Sequence, residues 1–300
     1  MGIHELGSLE EPLFLALGVF DGVHIGHQAV IEPVVEAARE QGGLAGVVTF
    51  EPHPVRVLAP ERAPKRILAS LEHKERLMGE MGVDVVVVVE FSREFANRSG
   101  DDFLGMLSEA GDLRMLSMGA DWRFGRGREG DVGLLRAFGE REGVEIVARE
   151  AVMRDGERVS STRVRQALRD GNLGAVEGML GRRYSVMGEV VRGRQLGQQL
   201  GFPTANIVAE NELLPPEGVW VVEANWEGEW KRAVANLGRR PTVDESGERS
   251  LEVHVLDWEG DLYGKVVEVR FVVFLRGEQK FGSVEELKEQ IARDIRAARE

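Results

Sequence analysis

The sequence predicts an α/β domain built on a parallel sheet, followed by a small antiparallel β-barrel that ends in a helix. Three observations predict this. Over the first 150 residues short apolar runs alternate with amphipathic stretches, the pattern of a parallel sheet with helices on its faces. After Gly181 the rhythm changes to short segments of period two, separated by Gly, Asn, Asp and Pro. The last stretch is amphipathic, and Ser283 stands three residues before Glu286, a capping-box signature.

In order, Leu13–Phe20, Leu44–Phe50, Val83–Val89, Leu113–Met118 and Val144–Ala148 read as buried strands rich in Val, Leu and Phe. Between the first two, Gln28–Arg39 places Val30, Ile31, Val34, Val35 and Ala38 at helical spacing. Pro33 there predicts a kink or a later start. Arg163–Leu168 and Leu173–Leu180 read as short helices closing this half. The barrel strands are Ser185–Val191, Val219–Ala224, Arg232–Ala235, Leu251–Leu256 and Val266–Phe274, with the terminal helix at Val284–Ala298. The domain junction falls near Gly181–Tyr184, dividing residues 1–181 from 182–300.

The 300 residues are 43% hydrophobic and 30% charged, enough to bury a core in each half. The net charge of -13 argues against a general nucleic-acid or anionic-membrane binder, yet a few local cations and N–H groups can still hold a phosphate. There is no cysteine, which excludes disulfides, thiol nucleophiles and zinc–thiolate sites and suits a reducing cytoplasm. Apolar runs such as Val85–Val89 are far too short to span a membrane.

At the end of the first strand the chain reads Gly18-Val19-Phe20-Asp21-Gly22-Val23-His24-Ile25-Gly26-His27. The glycines let backbone approach a ligand, and the helix that follows points free N–H groups at an anion. His24 and His27 share one face of its first turn. The pair alone also fits a metal half-site or a surface pair; its position at the end of the first strand of an open α/β sheet favours a nucleotide phosphate. Ser160, Ser161 and Thr162 form an N-cap cluster before a helix, which uses the same free N–H groups as phosphate binding. His53, between Pro52 and Pro54, is either a rigid corner or a ligand contact. Arg126 and Arg128, beside Arg123, form either a solvated turn or an anion site.

In the barrel half, Gly193, Gly197 and Gly201 recur every four residues. The intervening polar residues exclude a helix-packing seam, and no Gly-Lys-Ser/Thr follows to make a Walker loop. A glycine loop folding over phosphates remains. Thr204 and Asn206, fixed after Pro203, offer neutral oxygens suited to Mg²⁺ beside a nucleotide.

The first segment resembles the HxGH signature of the nucleotidyltransferase superfamily, in the form found in bacterial bifunctional riboflavin kinase/FMN adenylyltransferases. Thr49–Pro54, Gly119–Gly125 and Val159–Arg165 match that family in order. The barrel half matches it at Pro203–Asn206, Asn236–Thr242, Glu252–His254, Asp261–Gly264 and Leu275–Phe281. The resemblance implies a Rossmann-like nucleotidyltransferase sheet and a riboflavin kinase-like barrel, using ATP twice: to phosphorylate riboflavin to FMN, then to adenylylate FMN to FAD.

It further implies that His24 and His27 contact ATP phosphates, that Gly18, Phe20, Asp21, Gly22 and Gly26 shape that site, and that Ser160, Ser161, Thr162 and Arg165 close over it. His53, Asp121, Arg123 and Phe124 would meet the flavin or nucleotide. In the kinase half, Gly193, Gly197, Gly201 and Pro203 would hold ATP, Thr204 and Asn206 Mg²⁺, and Glu252 would be the general base. Without the resemblance Glu252 is a solvent-facing residue of an edge strand, and His254 on the same face either orients it or only packs. The family usually carries arginine where this chain has Gln198, with Arg194 a possible substitute; Trp220 stands where tyrosine is usual. The narrower alternative is a chain with one working activity, the adenylyltransferase; another is a flavin-binding regulator without turnover. No nucleic acid, no membrane, and a monomer or weak homo-oligomer are expected.

Overall fold

A computed structural model describes residues 1–64, 66–193, 196–209, 212–239 and 249–300. Arg194, Gln195, the Arg240–Thr242 part of the motif above and the side chain of Gln198 lie outside the described residues. The chain packs into two compact units. One comprises Met1–Lys65 and Leu71–Ser161, the other Arg66–Ser70 and Thr162–Glu300. The junction near Gly181 divides the chain by motif; packing instead groups the helices that precede it with the barrel.

The first unit is a five-stranded parallel sheet. Its strands are β1 (Leu13–Leu17), β2 (Leu44–Glu51), β3 (Val85–Glu90), β4 (Leu113–Gly119) and β5 (Glu145–Arg149), in the order β3-β2-β1-β4-β5. All of β1 is buried, with neighbours on both sides: Leu13 pairs with Leu44 of β2, and Phe14 with Met115 of β4. The strand order reverses at β1, which places a crevice at its carboxyl end. Helices α1 (Ile25–Gln41), α2 (Pro54–Leu58), α3 (Leu71–Glu80), α4 (Gly100–Glu109) and α5 (Val132–Glu142) complete the unit, with a small hairpin of β6 (Met153–Arg154) and β7 (Glu157–Arg158). Leu15, Leu17, Val48, Val87, Leu104, Leu116 and Phe138 make a dry centre. Each such side chain contributes about 1.5–3 kcal/mol relative to exposure.

Pro33 neither delays α1 nor ends it: one side chain replaces the lost donor, and a second ties the next carbonyl to the sheet. Proline has no N–H for the carbonyl of Ala29. Arg149 at the end of β5 donates its Nε–H to that carbonyl at 3.0 Å, and the Ser117 hydroxyl of β4 donates to the Val30 carbonyl at 2.7 Å. A helix flaw thus becomes two ties to the sheet.

From Thr162 the second unit carries the rest of α6 (Ser161–Arg169) and α7 (Leu173–Leu180), then closes six strands into a barrel. They are β8 (Ser185–Val191), β9 (Ala205–Ala209), β10 (Gly218–Asn225), β11 (Trp230–Arg239), β12 (Arg249–Val255) and β13 (Val266–Arg276), in the order β10-β11-β12-β9-β8-β13. Closure leaves no open edge, so β12 is a central strand, not an edge. Trp220 fills the interior at 1% exposure, against Phe271 and Phe274, with its indole N–H on the Pro216 carbonyl. Arg66–Ser70 is held to the barrel by Glu212, 1% exposed, which accepts from the N–H groups of Ser70 and Met187.

Between β8 and β9 the glycine segment contains one helical turn, α8 (Leu196–Leu200), which corrects the expectation of an unbroken loop. The terminal helix α9 (Val284–Arg299) is capped by Ser283, whose hydroxyl accepts from the Glu286 N–H at 3.1 Å. The reciprocal arm differs from a full capping box: the Glu286 carboxylate accepts from Gly282 instead of Ser283.

Removing the Arg149 repair isolates its value. Arg149→Met should lower stability to urea by about 1 kcal/mol. In a Pro33→Ala background, where an N–H at position 33 reclaims the Ala29 carbonyl, the same change should cost almost nothing. Equal losses in both backgrounds would refute the repair.

Candidate functional site

The first site is built on a strained turn between β1 and α1. Phe20, Gly22 and Val23 adopt φ of 54°, 82° and 42°. That conformation costs a non-glycine residue about 1–3 kcal/mol, and β-branched Val23 is especially unsuited to it. The surroundings enforce it. Phe20 and Val23 are each 1% exposed. The turn's carbonyls are held one by one: Val19 by the Thr49 hydroxyl at 3.1 Å, Asp21 by the Ser161 hydroxyl at 2.9 Å, Val23 by the Gln28 amide at 2.9 Å. At Gly18 a Cβ would lie 2.9 Å from the Phe20 ring, so no other residue fits there.

The turn delivers His24 as the N-cap of α1. Its Nδ1 accepts from the His27 backbone N–H at 3.2 Å, so the neutral ring carries its proton on Nε2. The imidazoles of His24 and His27 stack, centroids 3.6 Å apart and 15° from parallel, and Phe20 meets His27 edge-on. Gly26 has no side chain because a Cβ would sit 3.1 Å from the His24 ring. Two imidazoles thus flank the N-terminus of a helix, where N–H dipoles attract an anion.

Other expected residues are committed to partners. His53 caps α2, its Nδ1 accepting from the Val55 N–H at 3.2 Å. Asp121 is gripped by both guanidinium nitrogens of Arg158 from β7. Arg123 pairs with Asp131, the N-cap of α5, which also accepts from Gly133 and Leu134. Phe124, 6% exposed, stacks on half-buried Trp122. With Phe50, Phe91, Phe95 and Phe103 they form a continuous aromatic cluster at the carboxyl ends of β2 and β4. Ser160 and Ser161 close the first unit; Thr162 and Arg165 continue along α6 in the second.

One residue of this region was invisible to motif reading. Lys74, on the inner face of α3, is 4% exposed, with its Nζ 3.9 Å from Glu51 at the end of β2. Burial lowers its pKa, against the pull of Glu51, Asp21 and Glu75. The hydrophobic spacing around it, Leu71, Leu77 and Met78, marks the inward face but not the charge.

The second site is a row across three barrel strands. Glu252 of β12 pairs in register with Asn206 of β9 on one side and Asn236 of β11 on the other. Leu251 and Val253 point into the barrel, so Glu252 and His254 share the outer face. The Nδ1 of His254 contacts the Pro203 carbonyl at 2.8 Å and its ring meets Phe202 edge-on, so this histidine fixes the Pro203–Asn206 segment. Gly193 passes directly over the Asn206 carboxamide, and a Cβ at Gly197 would lie 3.1 Å from the Thr204 hydroxyl. These two glycines are there for close approach. Gly201, with φ 91°, ends α8.

Of the closing motif, Arg276 is bound by both carboxylate oxygens of Asp294 on α9, at 2.7–3.1 Å. The Asp261 carboxylate accepts from Tyr263, whose ring lies under Arg192. Among the described residues no cluster of three or more His, Asp or Glu could hold a metal.

Two family matches tile the chain: FAD synthetase over residues 7–163 and riboflavin kinase over residues 180–300. The chain is 43% identical to the bifunctional riboflavin kinase/FMN adenylyltransferase of Escherichia coli, over all of this chain and 96% of that one. The Pseudomonas fluorescens protein of the same name is 39% identical, over 99% and 96%. A Streptococcus pneumoniae crystal structure described as a macrolide-efflux protein has a TM-score of 0.84 at 30% identity, covering 99% of this chain and 97% of that one. No described helix is long and apolar enough to cross a membrane.

The Arg123–Asp131 arrangement makes a local prediction. The Arg123 hydrogen bond, then those from Leu134 and Gly133, hold the Asp131 carboxyl below its ordinary range. The order this carboxylate gives α5 is therefore complete above that range and lost as pH falls through the lowered folded-state value. Amides of the first α5 turn should exchange faster with solvent in Asp131→Ala at neutral pH, and unchanged exchange would refute the cap.

Proposed function

The chain belongs to the bifunctional riboflavin kinase/FMN adenylyltransferase family, and on that premise we propose which residues carry each reaction. It phosphorylates riboflavin to FMN and adenylylates FMN to FAD, with ATP as co-substrate of both steps. The observation that carries the two-site reading is that His24 and His27 lie in one compact unit, while Thr204, Asn206 and Glu252 lie in the other.

For FAD formation, the nucleophile is the FMN phosphate, already largely ionised at neutral pH with a second pKa of about 6. No general base is needed. The protein must bind ATP with its α-phosphorus in line and stabilise the departing pyrophosphate. The N-terminus of α1 and the His24 and His27 rings supply donors for the phosphates, the latter steadied by the stack. Gly18, Phe20, Asp21, Gly22 and Gly26 shape the turn that aims them. Ser160 and Ser161, in the same unit, add hydroxyls, a role supported by the Ser161 bond to the turn. The half-buried aromatic cluster around Trp122 and Phe124 offers the flat surface a flavin ring requires. His53, Asp121 and Arg123 serve it by fixing α2, the hairpin and α5 in place.

For FMN formation, the nucleophile is the 5′-hydroxyl of the ribityl chain, which must lose a proton to attack the γ-phosphorus. Glu252 takes that proton, with Asn206 and Asn236 beside it in register on the neighbouring strands. Gly193, Gly197, Gly201 and Pro203 form the backbone wall for ATP. Thr204 and Asn206 would offer Mg²⁺ two neutral oxygens, and an ion so held would keep its waters and phosphate ligands. When bound, Mg²⁺ neutralises charge on the transferring phosphoryl group. A cytoplasmic setting supplies ATP and suits a chain without cysteine. The reading calls only for small-molecule substrates, ATP, riboflavin and FMN, bound by a monomer or weak homo-oligomer.

His27→Ala should lower FAD formation from FMN by about two orders of magnitude or more while leaving riboflavin phosphorylation intact; Glu252→Ala should do the reverse. Chromatography of flavins formed with ATP and Mg²⁺ reads both. If either change removes both activities from folded protein, the two-site assignment is wrong. If the unaltered chain converts FMN but never riboflavin, only the adenylyltransferase works.

A further inference from the structure

The adenylyltransferase site brings together more negative charge than its cradle accounts for. Asp21, 4% exposed, stands in the turn that cups the phosphates, and Glu51 ends the neighbouring strand β2. Both substrates of this step are polyanions. A carboxylate that must stay near them opposes their binding unless it is neutralised.

Lys74 is placed to do that. It reaches Glu51 from α3 at 3.9 Å and interacts with Asp21 as a second charge partner, while its side chain is shielded from water. Burying an ammonium carries a desolvation penalty, and an apolar residue on this inward face of α3, beside Leu77 and Met78, would fill the space without it. Retention of a charge there points to a use for the charge.

We propose that Lys74 is a positioning residue of the adenylyltransferase reaction: its ammonium cancels Asp21 and Glu51 so that the triphosphate of ATP can enter the cradle of His24, His27 and α1. It touches neither substrate and takes no part in bond making. The inference rests on the reading of that cradle as the phosphate site.

The test is steady-state FAD formation from FMN with ATP varied. Lys74→Met should raise the KM for ATP by about tenfold, the effect of one uncompensated charge, with a smaller change in kcat. Adding Glu51→Gln should bring KM back toward the starting value. A packing role would not be rescued by a second change that restores no volume. Riboflavin phosphorylation and thermal melting of the same samples report folding.

Should Lys74→Met fail to fold, the unaltered enzyme gives the answer through pH. The charged groups acting on Lys74 are Glu51 of β2, Asp21 of the β1–α1 turn and Glu75 beside it on α3. The KM for ATP should then climb at a pH below that at which an ordinary lysine deprotonates. A KM for ATP that stays flat up to pH of about 10, or a Lys74→Met effect untouched by Glu51→Gln, overturns the proposal. The outcome is separable from the cradle reading: if His27→Ala abolishes FAD formation and Lys74→Met leaves KM unchanged, only the role of Lys74 falls.

Discussion

The structure of the first unit depends on one unfavourable turn. Phe20 and Val23 occupy left-handed backbone that an isolated chain would avoid, and the cost is offset by burial of both side chains and by three hydrogen bonds to the turn's carbonyls. What the strain secures is direction. A strand that continued through Phe20 would carry His24 past the crevice. The reversal instead starts α1 at the carboxyl end of β1, so that its first turn, with His24 and His27, begins at the switch point of the sheet. Thr49 and Gln28 are therefore part of the site although neither belongs to the phosphate-binding set, and Ser161 holds the turn as well.

On the proposed assignment the second unit meets the same need, holding a phosphate chain, without a helix dipole. Its wall is backbone brought close by glycine: Gly193 against Asn206, Gly197 against Thr204. The closed barrel makes this rigid, because the row Asn206, Glu252, Asn236 runs across three hydrogen-bonded strands. The contrast follows from the nucleophiles. A phosphate needs only alignment and positive potential, which a helix N-terminus supplies; an alcohol needs a base, which a strand can hold in register beside its partners.

Much of this was legible in the sequence, and the rest was hidden for identifiable reasons. The helix at Leu173–Leu180 and the strand at Ser185–Val191 can be read to the residue, the helix being bounded by Asn172 and Gly181. The first strand was read three residues too long, because Gly18-Val19-Phe20 is apolar and a left-handed phenylalanine has no sequence signature. Helices α4 and α5 were missed although Ser99 and Asp131 cap them, their interiors being interrupted by Gly105, Gly133 and Gly139. The motif residues of both sites were visible as motifs. Their pairings were not: Asp121 with Arg158, Arg123 with Asp131 and His254 with Pro203 join positions whose separation carries no periodicity.

Lys74 shows why charge is the least readable property of such a site. In a sequence this acidic, one lysine in a helix rich in Glu and Arg looks like part of a solvated face. Only packing shows that it turns inward, toward two carboxylates that belong to different strand ends. The electrostatics of the crevice are therefore set by an element outside the motif, and a surplus of acid over the whole chain is compatible with binding two polyanions at one place. What a phosphate senses is the field within a few ångströms, where a buried ammonium is screened far less than the exposed charges that dominate the net count.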